Sequence, residues 1–207
     1  MAPSDRRAGG GPEHDRRSSD PDASAESSAA EAEPTNPTTT GPDVTLTEAD
    51  AAGLDRVEAL LAANDLPTED VRTGPGQFYL ARDGDDESDG DGDGDAVVGV
   101  GGVERHGSAG LLRSVAVEES SRGDGYGTAL CAALEDRARR EGAGTLYLLT
   151  TTAAGFFERL GYEAVDRESV PPAIRSTTEF AELCPASATC MRKRVGERAS
   201  SDGTGTE

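Results

Sequence analysis

Residues 111–142, LLRSVAVEESSRGDGYGTALCAALEDRARREG, contain the strongest structural signal in this sequence. The segment begins as an apolar strand, continues through a polar turn and a glycine-rich loop, and ends as an amphipathic helix. The loop, R-G-D-G-Y-G at 122–127, leaves backbone N–H groups unhindered by side chains at the positive end of that helix. The segment therefore predicts a site for an anion such as a phosphate.

The length of 207 residues fits one folded domain with tails. Residues 1–42 and 197–207 are polar and contain almost nothing apolar, so we expect two disordered tails, the first of them acidic, around a domain at 43–196. The net charge of −20 argues against nucleic acid as a partner, because phosphate backbones need a basic surface. Lys193 is the one lysine, and this acid-rich, lysine-poor composition favours a halophilic protein over an ordinary acidic one.

Several classes of protein are disfavoured by what the sequence lacks. It has no apolar run of the roughly 20 residues that a membrane span needs, and no secretory signal at its start. Three scattered cysteines are too few for a disulfide scaffold. We therefore expect a cytoplasmic protein that does not bind a membrane.

The periodicity of apolar residues predicts an α/β (α+β) domain. A helix follows Thr47, its expected N-cap, with Asp50 three residues on. Further helices are expected behind the glycine loop and at 150–160, with short helical turns at 172–175 and 178–183. A first strand is expected near residues 44–46, before the first helix, and the other expected strands span 77–82, 96–104, 111–117, 146–149, 162–165 and 188–195.

The acidic stretch DGDDESDGDGDGD at 83–95 suggests a calcium loop but does not fit one. A loop that starts at Asp89 has Gly94 sixth, as required, but Val100 instead of glutamate twelfth. Strands rather than helices flank the stretch, so we interpret it as a solvated loop insertion and predict no metal site.

Two nucleotide-binding interpretations of the glycine loop fail. A dinucleotide site wants the loop after the first strand and an acidic residue about 20 positions on, whereas this loop follows the fourth strand and leads into the apolar strand at 146–149. A phosphate-binding P-loop needs lysine before the threonine, but Thr128 follows Gly127.

The order of elements and two motifs resemble the GNAT N-acetyltransferases. The loop matches the family signature [RQ]-x-x-G-x-[GA], and F-F-E-R-L-G-Y at 156–162 matches its aromatic turn that ends L-G-[FY]. The resemblance covers about 44–195 and implies the acyl-CoA N-acyltransferase fold, with a mixed, mostly antiparallel sheet flanked by helices. It also implies acetyl-CoA as co-substrate and the following donor-site residues: Val115, Ala116, Val117, Arg122, Gly123, Asp124, Gly125, Tyr126, Gly127 and Thr128.

Acetyl transfer to an amine needs a neutral nitrogen, and an alkylammonium loses its proton at neutral pH only at a cost of about 4–5 kcal/mol. A carboxylate in the site would take that proton, directly or through water. Glu104 is the first candidate for this base, at the end of the strand before the central one, and Glu118 and Glu119 are second choices. Many family members protonate the leaving thiolate with a tyrosine four residues before the L-G-[FY] glycine. Phe157 stands there, so the general acid stays open among water, Tyr162 and a cysteine.

Residues 171–188 and the segment around Glu104 resemble the arsenic-resistance-associated N-acetyltransferases, and less closely the N-acetylglutamate synthase type. Both resemblances imply a small, carboxylate-bearing amine, for which Arg113, Ser114 and Arg175 are candidate ligands. Cys184 and Cys190 suit packing better than binding of a soft metalloid. A non-catalytic acetyl-CoA-binding module is an alternative function. A homodimer is a possible assembly.

Overall fold

The computed structural model describes residues 41–74, 76–84 and 97–196. The strands in this part of the chain are β1 (Val44–Glu48), β2 (Gln77–Asp83), β3 (Val97–His106), β4 (Ala109–Val117), β5 (Thr145–Thr150), β6 (Glu163–Ala164) and β7 (Thr189–Arg194). The α-helices are α1 (Ala51–Ala63), α2 (Tyr126–Arg140), α3 (Ala154–Arg159) and α4 (Pro172–Arg175). A π-helical turn, called the π-turn below, spans Glu179–Leu183.

The strands form one sheet in the order β1-β2-β3-β4-β5-β7-β6. All neighbouring strands are antiparallel except β4 and β5, which are parallel. Their pairing runs only from Ala109↔Thr145 to Leu111↔Tyr147. Beyond those residues the two strands separate toward their C-terminal ends, which opens the middle of the sheet. The predicted mixed, mostly antiparallel sheet flanked by helices is confirmed.

A bulge in β4 lies at this opening. Val100 of β3 pairs with Ala116 and Gly102 pairs with Arg113, so one residue of β3 opposes two of β4. Ser114, one of the two, has φ 53, a left-handed conformation that is unfavourable for a residue with a Cβ. A bulge bends its strand and changes the direction of the side chains beyond it. Here it turns the second half of β4 away from β5.

The two long helices pack on separate apolar clusters. The side chains of Val57, Leu60 and Leu61 on α1 are buried in a cluster with Phe78 and Leu80 of β2. The amphipathic helix predicted behind the glycine loop packs on a second cluster, in which Leu130, Cys131, Leu134 and Ala138 of α2 are buried. A third cluster joins β4, β5 and β7 to α4 and the π-turn. Cys190 is buried in this third cluster, as expected of a packing residue.

Three local predictions differ from the structure. The N-cap of α1 is Asp50, not Thr47, because Asp50 Oδ1 accepts a hydrogen bond of 2.8 Å from the N–H of Gly53 while Thr47 belongs to β1. The helix predicted at 150–160 is shorter, since Thr150 Oγ1 accepts from the N–H of Ala153 and α3 begins only at Ala154. The strand predicted at 162–165 contracts to Glu163–Ala164.

Other predictions fall outside the described residues. These are the tail at 1–42 apart from Gly41 and Pro42, the acidic insertion from residue 85 onward, and the tail at 197–207. Among the residues that are described, no helix is long and apolar enough to cross a membrane.

Candidate active site

The separation of β4 and β5 opens a cavity of about 390 Å³, called the central cavity below. Its walls come from the end of α1, from β4 and β5, and from the π-turn with the residues after it. The polar lining residues are Asn64, Asp65, Arg113, Ser114, Thr150, Thr151, Thr152, Glu179 and Cys184. The apolar lining includes Val115, Leu149 and Phe157. The cavity thus offers apolar walls with a few convergent polar groups, as small-molecule sites do.

A second, more open pocket, called the cradle groove, lies where β4 leads into α2. It is lined by Val117, Arg122, Gly123, Gly125, Gly127, Thr128, Phe156, Arg159 and Leu160. Val115 lines the central cavity and Val117 lines the cradle groove, so the second half of β4 runs along both.

The glycine loop has the backbone geometry that an anion site requires. Gly123 and Gly125 have φ of +92 and +93, a conformation in which other residues are strained. Gly125 is the N-cap of α2, and its carbonyl accepts from the N–H groups of Thr128 and Ala129. The N–H groups of Gly123, Gly125 and Gly127 have no backbone acceptor in the described part of the chain. They are available to an anion at the positive end of a 15-residue helix.

Of the side chains in the loop, that of Arg122 lines the cradle groove, whereas those of Asp124 and Tyr126 do not. Arg122 lines the groove, while its guanidinium donates to the Val117 carbonyl at 3.2 Å and to Asn64 Oδ1 at 2.6 Å. It therefore joins the loop to β4 and to the end of α1. Asp124 and Tyr126 are not among the lining residues, and the Tyr126 hydroxyl donates to Asp83. Ala116 is buried on the α1 side of the sheet, so only its backbone is relevant to a ligand.

Sequence analysis missed Arg159, which brings a second cation to the groove. It is exposed at the end of α3, three residues after Phe156, and both residues line the groove. The spacing of three residues on a helix places them on one face. That spacing was the available signal in the sequence.

Arg113 lies at the centre of a buried ionic cluster. Its side chain is 1% exposed, and its guanidinium contacts three carboxylates: Glu104 at 2.5 Å, Asp70 at 2.7 Å and Glu179 at 2.8 Å. His106 Nε2 lies 3.3 Å from the other oxygen of Glu104. These partners raise the pKa of Arg113 above its already high ordinary value, although burial opposes them. The cluster contains one permanent cation and three acids, all largely removed from solvent.

The predicted acceptor-site residues are only partly brought together. Arg113 and Ser114 line the central cavity, but Glu104 does not; its side chain is 2% exposed and lies behind Arg113. Arg175 is exposed at the end of α4 and is absent from the lining. The role of Glu104 as base stays a prediction. Glu179, which sequence analysis missed, contributes a carboxylate to the cavity wall instead.

Burial, together with the neighbouring carboxylates of Glu104 and Asp70, raises the pKa of Glu179 to about 7 against the attraction of Arg113. Its sequence position in a polar, helix-like segment gave no sign of this environment, because the partners lie far away along the chain.

The candidates for the general acid differ in whether they line the central cavity. Phe157 lines the central cavity and packs edge-on against Phe156 and Tyr162, with ring centroids 5.1 and 5.5 Å away. Tyr162 is 3% exposed and does not line the cavity. Cys184 does line it, and burial, with the carboxylate of Glu179, raises the pKa of its thiol to about 11. Cys184 is therefore protonated at neutral pH. No group of three or more His, Cys, Asp or Glu side chains in the described residues is arranged to hold a metal ion.

Comparisons with known proteins agree with this architecture. Residues 74–164 match a family model described as an acetyltransferase (GNAT) domain. No curated protein matches the chain. Many solved structures do. N-acetylglutamate synthase from Neisseria gonorrhoeae, solved with coenzyme A and L-arginine, is 18% identical with a TM-score of 0.56, over 74% of this chain and 33% of that one. This chain therefore spans about a third of the length of that synthase.

Two smaller proteins are matched over almost their whole length. A GNAT-family acetyltransferase from Staphylococcus aureus Mu50 is 15% identical with a TM-score of 0.54, over 73% of this chain and 99% of that one. Rv2747 from Mycobacterium tuberculosis, solved in complex with CoA, is 20% identical with a TM-score of 0.54, over 72% and 98%. At these identities the structures establish the fold, which is the acyl-CoA N-acyltransferase fold. Residues 74–164 within it are similar to a GNAT acetyltransferase domain.

Proposed function

We propose that the protein is an acetyl-CoA-dependent N-acetyltransferase that acts on the amine of a small molecule. The observation that carries this proposal is the alignment of the cradle groove and the central cavity along the second half of β4. One pocket suits an anion and the other suits a small, partly apolar molecule. A donor with a phosphate-bearing part and a distant reactive group fits both at once.

The donor half of the proposal rests on the glycine loop. The N–H groups of Gly123, Gly125 and Gly127 would hold the pyrophosphate of acetyl-CoA, with Thr128 and Arg159 on the rim of the groove. The backbone of β4 from Val115 to Val117 faces the gap left by β5, where the pantetheine arm would pair with it as a further strand does. A backbone N–H in the same segment would stabilise the oxyanion of the tetrahedral intermediate.

The acceptor half rests on the central cavity. Its size of about 390 Å³ suits a molecule comparable to an amino acid, and we propose an amino-acid-like amine as the acceptor. Because Arg113 is already shared by three carboxylates, we propose that neutral donors of the cavity wall bind a carboxylate of the acceptor, namely the hydroxyls of Ser114 and Thr150 and the amide of Asn64. Arg175 does not line the cavity, so its predicted part in binding the acceptor has no support from this geometry.

The proposal of a link to arsenic resistance rests only on the resemblance of residues 171–188 and of the segment around Glu104. Amino-acid acetylation of the N-acetylglutamate synthase type is the close variant. The cytoplasmic location, the halophilic character and a homodimer likewise stay predictions from the sequence.

The chemistry needs one group to take a proton and tolerates the absence of a strong acid. The acceptor ammonium must lose its proton before its nitrogen attacks the thioester carbonyl, and Glu104 is the base predicted from sequence. CoA thiolate is a fair leaving group. We propose that the protonated thiol of Cys184, which lines the cavity, replaces the tyrosine that many family members use as general acid where this chain has Phe157.

The test is release of free CoA thiol from acetyl-CoA by the full chain, in the presence of a panel of amino acids and simple amines, at low and at molar KCl. We expect amine-dependent thiol release and an N-acetylated product visible by mass spectrometry. A second function, a non-catalytic acetyl-CoA-binding module, is favoured by Phe157 in place of tyrosine. Saturable CoA binding without thiol release for any amine would decide for that module.

A further inference from the structure

We propose that Glu179 is the carboxylate that accepts the proton of the acceptor amine. This proposal rests on the proposed function and assigns one of its steps to a residue of the π-turn. It differs from the prediction made from sequence, in which Glu104 has that role.

The first reason is position. Glu179 lines the central cavity together with Ser114 and Val115 at the bulge of β4 and Leu149 of β5. The other charged lining residues of the cavity are Arg113, which contacts Glu179, and Asp65, which is exposed after the end of α1. Glu104 is on the far side of Arg113, where its two oxygens face Arg113 and His106.

The second reason is an oxygen that lacks a hydrogen bond. Glu179 Oε2 lies 2.8 Å from Arg113 Nε, but the N–H does not point at it, and neither atom has a hydrogen-bond partner among the described residues. The other oxygen has the Cys184 thiol at 3.9 Å. A buried carboxylate oxygen without a donor is costly for a protein to keep. An acceptor ammonium supplies the missing donor, and with it the proton to be transferred.

The third reason is the charge around Glu179. Among the described residues, Arg113 of β4 is the one cation in contact with it, and Arg113 also contacts Glu104 of β3 and Asp70 from the segment after α1. His106 faces Glu104, and Cys184 faces Glu179 from the residue after the π-turn. Three carboxylates around one guanidinium leave an excess of negative charge when all are ionised. The group of the three that faces the cavity can therefore take up a proton readily.

The effect of the raised pKa can be expressed as the equilibrium constant for proton transfer from the acceptor ammonium to Glu179. An alkylammonium with a pKa of about 10.4 gives its proton to an ordinary glutamate with an equilibrium constant of about 10⁻⁶. With the pKa of Glu179 at about 7, the constant rises to about 10⁻³. A general base is most effective when its pKa lies near the working pH, which Glu179 satisfies.

The ammonium N–H bond breaks and its proton goes to the Glu179 carboxylate. The nitrogen lone pair then forms the C–N bond to the thioester carbonyl carbon, and the π electrons of the C=O bond move to oxygen. The C=O bond re-forms as the C–S bond breaks with its electron pair on sulfur, and the amide nitrogen loses its second proton to the thiolate, directly or through Cys184. Glu179 returns its proton to water once the products leave.

The experiment compares Glu179→Gln, Glu104→Gln and the control Glu182→Gln in the full chain. Glu182 is exposed on the same π-turn. Each variant is assayed for kcat/KM with an alkylamine and with an aromatic amine, which is unprotonated at neutral pH, and for CoA binding by calorimetry. For Glu179→Gln we expect kcat/KM to fall about 10²–10⁴-fold with the alkylamine and less than about tenfold with the aromatic amine. We expect this variant to bind CoA as the native protein does.

A large loss restricted to the alkylamine in Glu104→Gln, with Glu179→Gln little changed, would overturn the proposal in favour of Glu104. If Glu179→Gln does not fold, the native protein still decides. Its kcat/KM should show an acidic limb near pH 7 with the alkylamine and none with the aromatic amine, and the same limb with both amines contradicts the proposal. CoA binding without turnover of any amine by the native protein is the distinct result that removes the proposed function itself.

Discussion

Replacing Glu179 with glutamine should stabilise the fold while it impairs the chemistry. The pKa of Glu179 is raised from an ordinary 4.5 to about 7, so the folded protein binds its proton more tightly than the unfolded chain does. Tighter proton binding by the folded protein contributes to the free energy of unfolding. This contribution is fully present below about pH 4.5 and is lost as the pH rises through about 7. The difference of about 2.5 pH units corresponds to a cost of about 3 kcal/mol above pH 7. Glutamine keeps the shape without the charge and avoids that cost.

The assay is urea unfolding at pH 5 and pH 8, with Glu182→Gln as the matched surface control. We expect Glu179→Gln to raise the free energy of unfolding by up to about 3 kcal/mol at pH 8 and by much less at pH 5, where the native side chain is mostly protonated. The control should stay within about 0.5 kcal/mol of the native protein at both values of pH.

A loss of stability in Glu179→Gln at pH 8 would refute this reasoning. It would mean that Arg113 stabilises an ionised Glu179 by more than burial costs, and that the pKa of Glu179 lies below its ordinary value. Such a carboxylate is a poor base at neutral pH, so the result bears on function as well as on stability.

Three further predictions concern the buried ionic cluster, the glycine loop and the cradle groove. Arg113→Met should lower the free energy of unfolding by about 3–5 kcal/mol at pH 8, because three buried carboxylates lose their cation, and by less at pH 5, as unfolding curves at both values will show. Gly125→Ala places a Cβ 3.1 Å from Pro42 Cδ in a left-handed conformation, whereas a Cβ at Gly123 meets nothing within 4 Å, so calorimetry should show the larger loss of CoA affinity for Gly125→Ala. Arg159→Ala should weaken CoA binding about 3–10-fold at low salt and less at molar KCl, and equal losses at both salt concentrations would contradict a phosphate contact.

The glycine loop was predictable from sequence because everything it needs is contiguous in the chain. Strand, loop and helix follow one another within residues 111–142, and Gly123 and Gly125 have the left-handed backbone that their lack of a side chain permits. The order of the elements then distinguished this loop from dinucleotide sites, which the sheet order confirms.

The acceptor side was not predictable in the same way, because its residues meet only through the fold. Arg113, Asp70 and Glu179 are far apart in sequence, and no local pattern indicates that they share one buried cluster. The bulge at Ser114 depends on the pairing of β3 with β4. In a chain with 40 acidic residues, a glutamate that is buried has the same local sequence signal as one that is hydrated. Glu104 was singled out for its place at a strand end, and the structure surrounds it with Arg113 and His106.

The most direct test of the proposed donor site is a crystal structure of the full chain with acetyl-CoA. We predict the pyrophosphate within hydrogen-bond distance of the N–H groups of Gly123, Gly125 and Gly127. The thioester should lie in the gap between β4 and β5, with its carbonyl carbon facing the central cavity and Glu179. A pyrophosphate bound away from the loop, or a thioester that points out of the gap toward solvent, would contradict an N-acetyltransferase site at this place in the sheet.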